Sequence, residues 1–399
     1  MTNHRTTRVA HRGRGITKPR RPNLLGSLLV GVSCWLTGSS WLCAADGETW
    51  PLFRGDAAST GVARSTLPEH LELLWKYSVD DGAFEGTATI ADDRVFVADL
   101  DGGLYALRLS DGELIWKQTS EIGFATAPAY REGRLYLGDF DGVFHCYSAE
   151  DGRPLWTHES HAEIDSSANF HGKHVLYGSQ DATLYALDAE TGELAWEHAI
   201  DDQIRCSPSI QDDRGFVAGC DARLHVIDLI EGESVGEGVE IDGPTGVTPA
   251  VKDNRIYFGT ESGTLFCIDW QAQEEVWTYR DPDSQQAYRS SPAVTDEVVV
   301  IGGRSKRISA HDAETGERLW SFTAKKRVDS SPVIVGQRVY VGSSDGRLYA
   351  LRLTDGEKQW EYETGAGLSA SPAVASERLV IASDDGVVYC FGKSPAATD

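Results

Sequence analysis

The stretch SSDGRLYALRLTDGEKQW, Ser343 to Trp360, sets a turn dipeptide, an alternating apolar run, a second turn dipeptide and a tryptophan in a row. Asp-Gly pairs supply the positive φ that tight hairpins need, and alternation between them puts apolar side chains on one face of a strand. The phrase returns along the chain. A Ser-Pro or similar pair falls at Thr87-Ala88, Ala127-Pro128, Ser167-Ala168, Ser207-Pro208, Thr248-Pro249, Ser291-Pro292, Ser331-Pro332 and Ser371-Pro372. Turn dipeptides follow at Asp101, Asp141, Asp181, Asp221, Ser262, Ser305, Asp345 and Asp385, and tryptophans at 116, 156, 196, 277, 320 and 360, with Gly236 where one is missing. Eight units result, spaced 40 to 43 residues apart.

Each unit holds four short strand-like runs. In the unit of Ser331 they are residues 331–335, 338–342, 348–353 and 358–362. Four-stranded antiparallel meanders at this period are the signature of a β-propeller. The expected fold is therefore all-β: an eight-bladed β-propeller over residues 72–392. Proline suits the first run, because an innermost strand is an edge with unpaired N–H groups. The last unit stops at Tyr389-Cys390-Phe391 without a fourth strand, and Leu73-Leu74-Trp75-Lys76-Tyr77 precedes the first unit as an orphaned tryptophan strand. Joining the two closes the ring and leaves no open edge.

Composition agrees with many turns and aromatic strands: 41 glycines, 11 tryptophans and one methionine in 399 residues. Residues 1–45 carry seven basic residues and no acidic one, then an apolar stretch from Leu24 to Leu42 ending in Cys43-Ala44-Ala45. That pattern reads as an export signal, with a retained anchor as the alternative. The Arg20-Arg21 pair lacks the rest of a twin-arginine pattern, and no lipidation box is present. Residues 46–71 form a lead-in, and 393–399 a tail. Without the signal the net charge is near −31, which repels nucleic acid. An exported, periplasmic or envelope-associated, monomeric propeller is expected, with peripheral membrane association left open.

The pattern Asp-Gly-x-Leu-Tyr-Ala-Leu-Asp-x-x-Thr-Gly-x-x-x-Trp, at Asp181 to Trp196 with Ala182 for the first glycine, resembles the pyrroloquinoline-quinone-like repeat family. The likeness covers roughly residues 72–392, and Trp50-Pro51-Leu52-Phe53-Arg54-Gly55 resembles the lead-in of exported members. It implies one of two branches. One is the BamB-like scaffold, whose partners are envelope or outer-membrane assembly proteins; the other is the PQQ-dependent dehydrogenases. The dehydrogenases carry long insertions, a calcium site of Glu, Asn and Asp, and adjacent cysteines; units of 40 to 43 residues without a Cys-Cys pair match the scaffold branch better. Neither catalytic residues, metal ligands nor a cofactor are expected.

Other motifs have plain readings. Gly342-x-Ser344-x-Gly346 lacks the helix of a nucleophile elbow and reads as a hairpin turn. Gly365-Ala366-Gly367 leads into an innermost strand, not the helix a dinucleotide needs. His145, His158, His161, His171 and His174 crowd one region at spacings that point to different faces. Cys146, Cys267 and Cys390 share a slot with Ala106, Ala186 and Ala350, a small buried position. Cys206 and Cys220 flank one hairpin and are a possible disulfide, subject to geometry.

The most informative column lies three residues before each proline position: Glu85, Ala125, Asp165, Arg205, Gly246, Arg289, Asp329 and Ser369. Its neighbour reads Phe84, Phe124, Ile164, Ile204, Thr245, Tyr288, Val328 and Leu368. Alternation sends the apolar column between blades and the polar one to the channel. Glu85, Asp165, Arg205, Arg289 and Asp329 then form a ring of mixed charge at one mouth. The ring is either a hydrated set of compensating ions or a site for a small polar ligand, a sugar or a partner's side chain.

Overall fold

A computed structural model describes residues 47–394, and the expected export signal lies outside them. All regular structure among the described residues is strand, in eight antiparallel sheets. Blade 1 runs Thr89–Ala91, Arg94–Ala98, Gly103–Arg108 and Leu114–Thr119 from channel to rim, and blades 2 to 7 repeat that order. Blade 8 takes its outer strand from the N-terminal side: Glu72–Ser78 pairs antiparallel with Val387–Gly392.

The cross-strand register explains the repeat. Each outer-strand tryptophan lies opposite a small residue of the third strand: Trp116 opposite Ala106, Trp156 opposite Cys146, Trp196 opposite Ala186 and Trp277 opposite Cys267. Trp320 meets Ala310 and Trp360 meets Ala350. Trp75 lies opposite Cys390, so the closing strand keeps the register of the rest. Six of the seven tryptophan rings reach over a turn glycine of the next blade, and the seventh, Trp360, meets Phe391 of blade 8 edge-on. A Cβ on Gly112 would stand 2.5 Å from Trp75, and its φ of +75° bars a side chain there as well. Burying one such aromatic stabilises by roughly 2–3 kcal/mol.

Blade 4 is the exception that shows the rule. It lacks the tryptophan, its third strand carries the larger Val226, and its outer strand breaks into Glu233–Ser234 and Val239–Glu240. The neighbouring turn of blade 5 carries Gln273 in place of glycine, and its amide donates to the Val235 carbonyl. Tryptophan and glycine are lost together because they are the two halves of one contact.

The Ser-Pro landmark has a different cause. Backbone N–H groups donate around the ring to the hydroxyl of the next blade: Ala127 to Ser167 (2.9 Å), Ser167 to Ser207 (3.0 Å) and Ser207 to Thr248 (3.0 Å). The belt continues from Thr248 to Ser291 (3.1 Å), Ser291 to Ser331 (2.9 Å), Ser331 to Ser371 (2.9 Å) and Ser371 to Thr87 (3.3 Å). Only the step from Thr87 is missing, because Ala127 has no hydroxyl to offer. The belt also fixes the order of the blades around the channel. The innermost strands are shorter than expected: that of blade 7 is Val333–Val335, because Ser331, which lines the channel, and Pro332 form no ladder.

The lead-in is a strap across the base of the ring. Trp50 makes an antiparallel bridge to Ile90 of blade 1, and the Pro51 carbonyl accepts from Tyr130 N–H of blade 2. The Ala57 carbonyl accepts from Asn169 Nδ2 of blade 3 and Ile210 N–H of blade 4. Carbonyls of Ala58, Thr60 and Gly61 accept from Val251, Val294 and Ile334 of blades 5, 6 and 7, and Gly47 accepts from Ser376 of blade 8. One segment thus reaches all eight blades and pairs an edge N–H of six innermost strands, groups that would otherwise be orphaned, while blade 3 is met through the Asn169 amide and blade 8 just past its strand.

Arg54 lies at the centre of the strap, 1% exposed. Its Nη2 donates to the carbonyls of Pro332 (2.5 Å) and Pro292 (3.2 Å). On blades 1, 3 and 4 the residue after the Pro position supplies such a donor to the next blade: Thr89 to Pro128, Asn169 to Pro208 and Ser209 to Pro249. Ala250 and Ala293, which would serve Pro292 and Pro332, have no donor, and Arg54 stands in for both. Burial pushes its pKa down to about 9, opposed by the nearby Asp56 carboxylate, so it stays ionised at neutral pH.

Candidate functional site

With one end closed by the strap, the channel is a blind cavity of about 870 Å³. Phe53 of the strap contributes to its lining, and all eight residues of the polar column line it. Their apolar neighbours are buried between blades, Phe84, Ile164, Ile204, Val328 and Leu368 completely. The column lies in the extended segments that precede the innermost strands, not within them.

Three columns build the mouth. The second lies two residues earlier and supplies Glu163, Gln203 and Arg327; the third precedes each turn dipeptide and supplies Phe140, Cys220, Glu261 and Arg304. Backbone bonds lock the last two together, as from Gln180 N–H to the Glu163 carbonyl and from Ser344 N–H to the Arg327 carbonyl. The second and third columns escaped the sequence reading. Their available signal was position relative to the turn, since no residue type dominates either column.

The arginines are paired. Arg304 makes a two-point contact with Asp329 (3.1 and 3.2 Å), and Arg327 approaches the same carboxylate at 2.9 Å. Arg289 bonds Glu261 at 2.8 Å. Arg205 bonds Gln203 (3.1 Å) and Gln180 (3.2 Å) and lies 3.9 Å from Asp165, which Gln180 also holds. Glu85 and Glu163 sit on blades 1 and 3 and form no salt bridge among the described residues, although Arg327 and Arg205 respectively oppose the rise of their carboxyls. Partial burial raises the Glu85 carboxyl above its usual value, and repulsion from Asp384, Asp165 and Asp329 adds to the rise. Glu163 is raised by burial and then by Asp165.

Sequence-predicted cysteine and histidine features separate. Cys206 and Cys220 are both free, so the possible disulfide between them does not form. The register that sets Ser209 opposite Phe216, continued outward, places Cys206 across from Gly219. Cys206 therefore packs between blades with Leu184 and Ile227, while Cys220 lines the cavity. His145 bonds Asp139 (2.7 Å), His158 bonds Tyr177 (2.9 Å) and His171 bonds Asp213 (2.9 Å), three separate partners. Cys146, Cys267 and Cys390 are held under tryptophans, and burial pushes each thiol up to about 12.

This is the architecture of an eight-bladed propeller with a strap-closed channel. A family described as outer membrane protein assembly factor BamB matches residues 68–279 and 239–394, and the chain belongs to that family of PQQ-like propellers. No curated protein matches by sequence. Among solved structures, BamB from Moraxella catarrhalis is similar at 21% identity, covering 83% of this chain and all of its own, with a TM-score of 0.70. The quinohemoprotein alcohol dehydrogenase from Comamonas testosteroni is similar at 16% identity, covering 89% of this chain and 82% of its own, TM-score 0.73. The designed protein Ika8 shares the fold at 17% identity, 81% and 100% coverage, TM-score 0.70.

The cavity does not fit a calcium-bound quinone. Calcium takes about six to eight converging oxygen ligands, whereas Asp165, Glu261 and Asp329 stand on blades 3, 5 and 7, with Glu261 and Asp329 committed to arginines and Asp165 to Gln180. The single thiol at the cavity, Cys220, has no cysteine neighbour in sequence.

Proposed function

We propose that the chain is an exported, non-catalytic interaction platform of the cell envelope, acting as a scaffold for outer-membrane protein assembly, as its family description suggests. The observation that carries this reading is the mouth column: one geometric position presented eight times on a rigid ring, filled by Glu, Ala, Asp, Arg, Gly, Arg, Asp and Ser. A frame that repeats while its displayed side chains do not is suited to recognising one partner's surface. The mouth is the recognition face, because the strap occupies the other end of the channel.

Crosslinking and pull-down from an envelope fraction test it. The unmodified chain should capture assembly-machinery proteins, and Arg205→Glu with Arg289→Glu should reduce capture at least fivefold without changing the melting temperature by more than a few degrees. Capture unaffected by both substitutions would remove the mouth from the reading. Stoichiometric uptake of pyrroloquinoline quinone with calcium, together with dye reduction, would replace the scaffold by an oxidoreductase.

A further inference from the structure

The hydroxyl belt has unspent capacity. Thr87, Ser167, Ser207, Thr248, Ser291, Ser331 and Ser371 each accept one backbone N–H. A hydroxyl also carries a proton to donate, and none of the seven donates it to another described residue. All seven line the cavity, yet none is more than 7% exposed. Buried donors normally have acceptors. Seven of them ring one cavity and lack any within the protein.

The electrostatics around the belt favour a negative acceptor. The strap holds the ionised Arg54 guanidinium on the carbonyls of Pro292 and Pro332, next in sequence to Ser291 and Ser331, where water does not reach it. A buried charge acts over a longer range than an exposed one. Arg205, Arg289, Arg304 and Arg327 stand on blades 4, 6 and 7 against Asp165, Glu261 and Asp329, and Glu85 and Glu163 stand on blades 1 and 3, so among the described residues the buried Arg54 is the positive charge beside the belt with no carboxylate in salt-bridge contact. A cavity of this volume is in the range that takes small molecules. A carboxylate at the belt would meet O–H groups whose protons have no acceptor among the described residues.

We propose that the belt is a receptor for a carboxylate, borne by a small organic acid or by an acidic residue of a partner, entering along the arginine side of the mouth. The proposal rests on the mouth being the recognition face and adds the chemistry recognised there. Calorimetry of the purified full chain uses citrate as the free acid, a short glutamate-terminated peptide as the partner-borne form, and trimethyl citrate as the uncharged control. Citrate or the peptide should bind and trimethyl citrate should not; which of the two binds tighter identifies the source. Ser291→Ala with Ser331→Ala should weaken binding at least tenfold, and Ser291→Thr with Ser331→Thr should restore it. Should the alanine pair fail to fold, alkylation of Cys220 in the unmodified chain gives an independent readout, which citrate or the peptide should slow. No binding of either acid, or equal binding of the ester, overturns the proposal. Envelope capture that persists after such a result would leave the scaffold reading standing, and loss of both would take the mouth with it.

Discussion

The base and the mouth of the channel are built from the same eight repeats and solve opposite problems. At the base one chemical solution recurs: a hydroxyl accepts the neighbouring blade's N–H at seven of eight junctions, and the strap pairs an edge N–H of six of the eight innermost strands. At the mouth, a few residues earlier in each unit, the side chains differ from blade to blade, and their charges are matched across blades, as from Arg304 of blade 6 to Asp329 of blade 7. Repetition at the base holds the ring; variation at the mouth is what the ring can afford to display. Substitutions at the base should therefore move stability and those at the mouth should not.

The largest effect is expected at Arg54. Arg54→Ala leaves the Pro292 and Pro332 carbonyls without their donor and opens a void beneath the belt. Removing the guanidinium also ends the cost of burying it, so the net loss is set at about 3 kcal/mol. Chemical denaturation measures it, and a loss below about 1 kcal/mol would mean that the strap is not held at its centre. Gly61→Ala offers a second view, since the added Cβ would lie 2.1 Å from Arg54 Nη2 and displace the same group.

A smaller effect tests the belt in the stabilising direction. Ala127→Ser supplies the missing eighth hydroxyl to the N–H of Thr87, and the gain should be about 0.5–1 kcal/mol. Unchanged stability, with the new hydroxyl seen elsewhere by crystallography, would show that the belt is a consequence of the fold and not a support for it.

What could be read in the sequence follows the same division. The blades were legible because Trp, Asp-Gly and Ser-Pro recur by residue type, and closure by Trp75 was legible because it is the same tryptophan out of place. The column from Glu85 to Ser369 was legible through its alternation with an apolar neighbour. Arg304, Glu261 and Glu163 were not, because no residue type dominates at their positions. The strap was read only as a lead-in: it touches each blade at one or a few positions, largely through backbone carbonyls whose use leaves no residue-type signal, and Arg54 meets partners 238 and 278 residues away. The possible cysteine pair fails by a single position of register, which in a strand is enough to send a side chain to the other face.

The smallest effect should appear at the mouth. The folded state raises the carboxyls of Glu85 and Glu163 above their usual 4.5, so their ionised forms are less stable in the fold than in the unfolded chain. The penalty is absent below the unfolded value, grows as pH rises through the raised one, and is complete above it. Glu85→Gln with Glu163→Gln should therefore raise the melting temperature at pH 7 by only about 1 °C, because solvent reaches both groups. The gain should vanish on lowering the pH below 4.5. A gain that persists in acid, or a loss at pH 7, would mean that these carboxylates support the ring as the base does, and the contrast between the two ends of the channel would fail.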